Sequence, residues 1–440
     1  MSKDHVKQGG FDRRTFMHLG LGAATAIGCP SLGLRVAFGD DEKGAGAKKS
    51  SAMRLPGFGK AKHVIVLYMS GGPSHIDTWD PKPGRPTGGP FKPAKTKVDG
   101  IEIGQHLPKM ASQMERFSIV RSMNSGEGSH ERARYLLHTG YLPAGPVRHP
   151  DFGAVVSCEC GEPGFDLPNF VSVNGATING GGYLGVEHAP FIVNDPTKPV
   201  ENLTYPKGVD RSRFARRWSL LGAIEKTFAR GRSPALIGDH KNVIQRASRF
   251  MHSPRSAAFD VASEPKKSRE RYGMGRFGQG VLAARRLVEV DVPYIQVNLG
   301  GWDTHRDNFK SVERLCGVLD PAFSSLLEDL DERGKLDETL VVWLGDFGRT
   351  PRINANSGRD HFPRAWSFVM AGGGIKGGRV HGATNENGDA VVKDRVRPAD
   401  MFATMAHCLG IEAKKENISS AGRPFAVVDK AGKVLKPLIT

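Results

Sequence analysis

Residues 63–73, HVIVLYMSGGP, keep an almost unbroken apolar and β-branched run through Met69 and then stop at two glycines and a proline. A strand exposed on one side alternates polar with apolar residues, whereas a continuous run fits a strand buried on both faces of a parallel sheet. FSIVRSM (117–123), PYIQVNL (293–299), TLVVWLG (339–345) and SFVMAGGG (367–374) read as further strands. Between and after them lie helical segments: HERARYLLHTGYLP (130–143), stopped by Gly140, then 277–290, with Phe277, Val281, Ala284 and Val288 on one face, then 309–334 and 397–411. Strands alternating with helices predict an α/β domain around a largely parallel sheet.

The 440 residues, 39% hydrophobic and 25% charged, have the composition of a folded chain with a sizeable core. The first 39 differ. Arg13-Arg14-Thr15-Phe16-Met17 precedes the mild apolar run LGLGAATAIG and the small-residue exit Ala37-Phe38-Gly39, the layout of a twin-arginine signal peptide, too short to span a bilayer. Such a leader predicts export to the periplasm. Cys29, in AIGCP, loosely matches a lipoprotein box that would anchor the chain by lipid, although Ala26 fits that box poorly. Residues 40–60 have linker composition, leaving 61–440 as the α/β domain, with a basic helical insertion at about 196–275 whose apolar stripe is expected to pack on the core. The net charge is +16, and removing residues 1–39 takes five Lys/Arg and two Asp/Glu, leaving +13. That surplus favours anionic partners, and among them glycans and small esters rank above nucleic acid because no nucleic-acid module signature is present. After Cys29 four cysteines remain, Cys158, Cys160, Cys316 and Cys408, and their spacing defines no pairing.

Open α/β sheets bind ligands at the carboxyl ends of their strands. Asp303 and His305 follow the strand ending at Leu299, Asp346 follows the strand ending at Leu344, and Asp360 and His361 lie in the next loop. Carboxylate with neutral imidazole is a ligand set for zinc, manganese or iron, while calcium is expected only if the histidines stand aside. Each pair has a plainer alternative: Asp303-Thr304-His305 as a helix cap, Asp346 as a turn residue in GDFGRTP, and Asp360-His361 in an ion pair with Arg359. All three would have to hold independently, so joint metal binding is the better reading. Arg349 could clamp an anion bidentately or sit in an ion pair. The glycine-rich AGGGIKGGRVHG lacks the phosphate-loop ending and reads as a turn.

VIVLYMSGGPSHIDTWDPKP, GGWDTHRDNF, LGDFGRTPRI, GRDHFP and AGGGIKGGRVHGAT, in this order behind a twin-arginine leader, resemble the exported bacterial family labelled domain of unknown function 1501. The resemblance implies an alkaline-phosphatase-like, doubly wound sheet with helices on both faces, and sulfatase-like hydrolysis of sulfate or phosphate esters at one or two metals. It makes Asp303, His305 and His361 one metal site, with Asp346 or His130 as a further member and Asp360 beside it. It places His130 at the usual nucleophile position, with Ser129 a substitute nucleophile. Ser70 stands where the strand-one aspartate is usual, with Asp77 and Asp80 as its replacements or simply a capped turn, and Phe347 replaces a histidine. The expectation is therefore an exported metal-dependent hydrolase holding zinc, manganese or calcium and acting on an anionic glycan or small ester, with a non-catalytic anion- or glycan-binding protein as the alternative.

Overall fold

A computed structural model describes residues 55–440 apart from 163, 176, 177, 202, 229–233 and 420. The twin-arginine segment, Cys29 and residues 40–54 of the linker lie outside the described residues. Residues 55–60, the end of that linker, are tied to the domain: the Gly59 amide donates to the His407 carbonyl (3.0 Å), and His407 Nε2 meets the Pro56 carbonyl (2.8 Å).

Eight strands form one sheet: β1 (His63–Met69), β2 (Phe117–Met123), β3 (Phe170–Val173), β4 (Phe191–Val193), β5 (Tyr294–Leu299), β6 (Thr339–Gly345), β7 (Trp366–Ala371) and β8 (Arg379–His381). Their order across the sheet is β8-β2-β7-β6-β1-β5-β3-β4. β7 runs antiparallel to both its neighbours, and every other pairing is parallel. The helices are α1 (His130–Thr139), α2 (Phe152–Cys160), α3 (Arg211–Phe228), α4 (Pro234–His252), α5 (Lys266–Tyr272), α6 (Arg276–Glu289), α7 (Asn308–Glu332) and α8 (Pro398–Cys408).

All seven residues of β1 are buried, as its continuous apolar run requires. Because side chains alternate across a strand, Ile65, Leu67 and Met69 join a core with Val281, Ala284 and Val288 of α6 and Leu319, Phe323 and Leu326 of α7. Val64, Val66 and Tyr68 face the opposite core, built with Phe152 and Val155 of α2 and Phe402 and Met405 of α8. Helices thus cover both faces, and the sheet's carboxyl edge is left for the loops.

The basic segment is helical over α3, α4 and α5, as its period predicts. Its apolar stripe is only partly covered, however. Phe214 and Trp218 are half-buried, while Leu220, Ile224 and Phe228 remain exposed. Among the described residues the four cysteines are free thiols, Cys316 and Cys408 buried and Cys158 exposed.

Candidate metal centre

The site is assembled where three parallel strands end together. β1 leaves the sheet through Gly71 and Gly72, at φ 113° and 82°, a region that disfavours residues with a Cβ. A Cβ on Gly71 would lie 2.4 Å from the Asp303 amide nitrogen, and one on Gly72 would lie 2.7 Å from the Phe347 carbonyl oxygen. The two glycines therefore let the loops after β5 and β6 close onto the end of β1. Fixed in that junction, Asp346 is fully buried and accepts from the Tyr68 hydroxyl (2.6 Å), the Gly71 amide (3.1 Å) and His130 Nδ1 (2.6 Å). Burial and the neighbouring Asp346 charge push the Tyr68 phenol well above its ordinary value, so it stays a donor.

His130 opens α1 and is aimed by that carboxylate. His361 sits in a two-residue antiparallel pairing with Arg349, and its Nδ1 meets the Gly128 carbonyl at 2.8 Å. His305 Nδ1 meets Asp360 Oδ1 at 2.8 Å, and Asn354 Nδ2 secures both partners, at 3.0 Å to the His305 carbonyl and 3.2 Å to Asp360 Oδ1. In each ring Nδ1 faces an obligate acceptor and must carry the proton, which leaves a lone pair on Nε2. The three lone pairs converge. His305 and His361 Nε2 are 2.9 Å apart, and Asp303 Oδ1 lies 3.1 Å from His305, 3.3 Å from His130 and 3.4 Å from His361 at their Nε2 atoms.

Two facing lone pairs repel unless a cation lies between them. Neighbouring donors on one tetrahedral zinc are about 3.3 Å apart, given bonds of about 2.0–2.1 Å. Asp303 Oδ1 stands at about that distance from each of the three Nε2 atoms, and the group whose ligand atoms all lie within 4.8 Å of one another is His130, Asp303 and His361, with His305 outside it. Oriented imidazoles backed by carboxylates and a carbonyl also match the usual surroundings of metal-bound histidine. The residues fit a divalent metal.

The electrostatics agree. Burial alone would raise the Asp303 carboxyl, but the hydrogen bond and charge of Arg349, with His130 and His305 alongside, hold it down to about 2. Burial lowers the His361 pKa, with the Gly128 carbonyl opposing and Arg349 adding to the effect. The hydrogen bond from His305 holds Asp360 below its ordinary value.

Several predicted residues therefore take different places from those expected. Asp346 and Asp360 face Nδ1 atoms and orient the rings, and His130 lies in the cluster, as one of the readings allowed. Arg349 is fully buried, donating to the Gly72 carbonyl (2.9 Å), the Arg359 carbonyl (3.2 Å), the Gly71 carbonyl and Asp303 Oδ1, so it positions the ligand and offers no open clamp. Ser129 is the exposed N-cap of α1 and makes no capping bond with its side chain. The cap alternative for Asp303-Thr304-His305 also falls away: α7 starts at Asn308 with Asp307 as N-cap, and Thr304 bonds the Asn308 side chain. Asp77 replaces no ligand. It forms a buried bidentate pair with Arg359 (2.7 and 3.0 Å), while Asp80 takes Lys82 and Thr384. Phe347 packs its ring at 4.7 Å from His130 and 4.5 Å from His361, walling the site.

Two participants were not expected from the sequence. Tyr68 was absorbed into an apolar strand, although a buried phenol needs a hydrogen-bond partner. Arg134 lies one turn after His130, with Nε 3.7 Å from Asp346 Oδ2 and its side chain 40% exposed. Neither Arg134 Nη atom makes a hydrogen bond among the described residues. The i, i+4 spacing was the available signal.

Fold and cluster together define an α/β protein with an imidazole–carboxylate centre at the carboxyl edge of a mostly parallel sheet. The chain belongs to the family described as protein of unknown function (DUF1501), whose family model matches residues 61–439. No match was found among curated proteins. Among solved structures, similar chains include a protein in the alkaline phosphatase superfamily from Vibrio parahaemolyticus, at 12% identity and TM-score 0.38 over 82% of this chain and 69% of that one. A sulfatase from Pseudoalteromonas sp. is similar at 13% identity and TM-score 0.37, over 81% and 68%. A 2-O GAG sulfatase is similar at 14% identity and TM-score 0.35, over 87% and 74%.

Proposed function

We propose that the protein is an exported, metal-dependent hydrolase of sulfate or phosphate esters acting on an anionic substrate such as a glycan. The observation that carries this reading is the convergence of three Nε2 lone pairs on Asp303 Oδ1 at 2.9–3.4 Å. Three imidazoles and one carboxylate favour zinc over calcium. A metal held by His130, Asp303 and His361, with His305 next to His361, would supply Lewis acidity toward an ester oxygen and would acidify water. Arg134, with Nε 3.7 Å from Asp346 Oδ2, is the nearby cation that could hold two oxygens of a sulfate or phosphate. Asp346 keeps His130 in its Nδ1–H tautomer, and Phe347 excludes water from one side of the rings. The sequence resemblance and the +13 charge of the mature chain point to the same substrate class.

The test is metal analysis of purified wild type, Asp303→Ala and His361→Ala, with turnover of aryl sulfate and aryl phosphate esters. Stoichiometric metal in wild type, lost in both variants together with turnover, is expected. A metal-free wild type with intact fold would overturn the reading. The reading as a non-catalytic anion-binding protein draws on Ser129, whose hydroxyl sits at an exposed cap instead of inside the cluster. Bound anion without turnover in the metal-loaded protein would favour it.

A further inference from the structure

Helix α1 carries His130, Arg134 and His138 on one face, since two steps of four residues span an arc of only about 80°. That face lies across the ends of three adjacent parallel strands. At one end of it His130 meets Asp346, which follows β6 (2.6 Å). At the other, His138 is buried, its ring 4.4 Å from that of Tyr68 on β1 and its Nε2 3.1 Å from Gln296 Nε2 on β5. Obligate acceptors at both ends fix every donor in this contact. The Val173 carbonyl takes Asn298 Nδ2 (2.9 Å), so Asn298 Oδ1 faces Gln296 Nε2 (2.8 Å), and the second hydrogen of that amide is left for His138 Nε2. His138 therefore carries its proton on Nδ1, 2.8 Å from the carbonyl oxygen of Arg134 itself. A chain of hydrogen bonds thus runs from β3 through β5 to the backbone of the arginine beside Asp346. Arg134 has little else to aim it: Asp346 Oδ2 lies 3.7 Å from its Nε, too far for a hydrogen bond, and that Nε is buried without a partner.

We propose that Gln296 and His138 are positioning residues: acting through the Arg134 carbonyl, they fix the rotation of α1 and so aim the Arg134 guanidinium at the anionic group of the substrate. The inference rests on the reading of the site as one that takes sulfate or phosphate esters. A fully paired buried polar chain holds packed elements in one arrangement, where apolar contacts tolerate several. His130 needs no such help, because Asp346 grips its ring directly. Breaking the chain at Gln296 or His138 therefore weakens anion binding and spares the metal.

The test measures the affinity of inorganic phosphate for the metal-loaded full chain by calorimetry, with metal content and melting temperature recorded alongside. Gln296→Leu removes both donors. His138→Phe keeps a ring against Tyr68 but bonds neither Gln296 nor the Arg134 carbonyl. Each variant is expected to keep its metal and to bind phosphate about tenfold more weakly, the scale of one lost charge-assisted contact. In an Arg134→Ala background neither substitution should weaken phosphate binding further, because the group they position is gone. Equal phosphate affinity in wild type and both variants would overturn the proposal. So would metal lost from both folded variants, or an equally large loss of affinity in the Arg134→Ala background, which would mark the contact as packing alone. These outcomes leave the reading of the site in place, whereas a metal-loaded wild type that binds no phosphate would overturn both.

Discussion

Each imidazole of the centre is gripped through Nδ1, so replacing the group that grips it separates orientation from ligation. Asp346→Asn keeps the shape of the side chain but removes the charge behind His130, and is expected to weaken metal affinity about 10–100-fold, measured by chelator competition. His130→Ala, which removes a ligand atom, should cost more. Arg134→Ala should leave metal content unchanged and lower kcat/KM for the anionic ester by about tenfold or more, as expected for one lost charge-assisted contact. Protons compete with metal for His361 Nε2, and burial lowers the pKa of that imidazole. Metal occupancy is therefore expected to be full near neutrality and to fall only below the ordinary imidazole value of about 6.5, followed by metal release against pH. Asp303, held to about 2, stays ionised over that whole range. Because its folded value lies below the ordinary 3.8, its contribution to the stability of metal-free protein is present above about pH 4 and is lost as pH falls toward about 2. Asp303, His305 and His361 were legible from the sequence because strand ends place them on one edge. The place of Asp346 was not, since an aspartate at a strand end looks the same whether it faces a metal or the Nδ1 of a histidine, and only the third dimension separates these.

Elements position these residues through a few close contacts. The Gly71 turn lets β1 and the loop after β5 touch, so Gly71→Ala should destabilise the protein by about 1–3 kcal/mol and lower metal occupancy, read by denaturant unfolding and metal analysis. The loop 350–360, which delivers His361, is held by the fully buried Asp77–Arg359 pair, with Asn308 adding a 2.8 Å hydrogen bond to Asp77. Asp77→Ala leaves an uncompensated guanidinium and should cost about 3–5 kcal/mol in urea unfolding. The long elements could be read from sequence because their signal is strong. β1 and β6 are continuous apolar runs, and α6 and α7 have well-defined apolar faces. The short strands β3, β4 and β8, the last inside the segment read as a glycine-rich turn, and the helix α2 were missed for physical reasons: strands of four, three and three residues carry too little periodicity, and FGAVVSCEC is apolar on most of its circumference, so it shows no clear helical stripe. The apolar stripe of α3 was expected to pack on the core because its helical period is amphipathic, and a period shows which residues share a face but not how much of that face is covered: Phe214 and Trp218 are half-buried while Leu220 and Ile224 are exposed.

At the scale of the whole molecule, the cluster gathers positions 130, 303, 305 and 361, with successive members up to 173 positions apart in the chain. Within the sheet only β7 reverses direction, so the connection from the end of β6 to the start of β7 stays at the carboxyl edge and keeps His361 there. Withdrawing metal by chelation is expected to lower the melting temperature of the entire domain in one cooperative shift, because binding to the folded state alone stabilises it by mass action. Melting in two steps, with only the loop transition moving, would contradict this. A bound ion also acts as a crosslink. Joining residues 130, 303 and 361 closes two loops of 173 and 58 residues, and the entropy of such closures grows only slowly with length, so both contribute comparably. An ion captured while the chain is still loose would restrict it much as a pair of disulfides does, without any redox chemistry, so refolding should run faster with metal present from the start than with metal added after collapse.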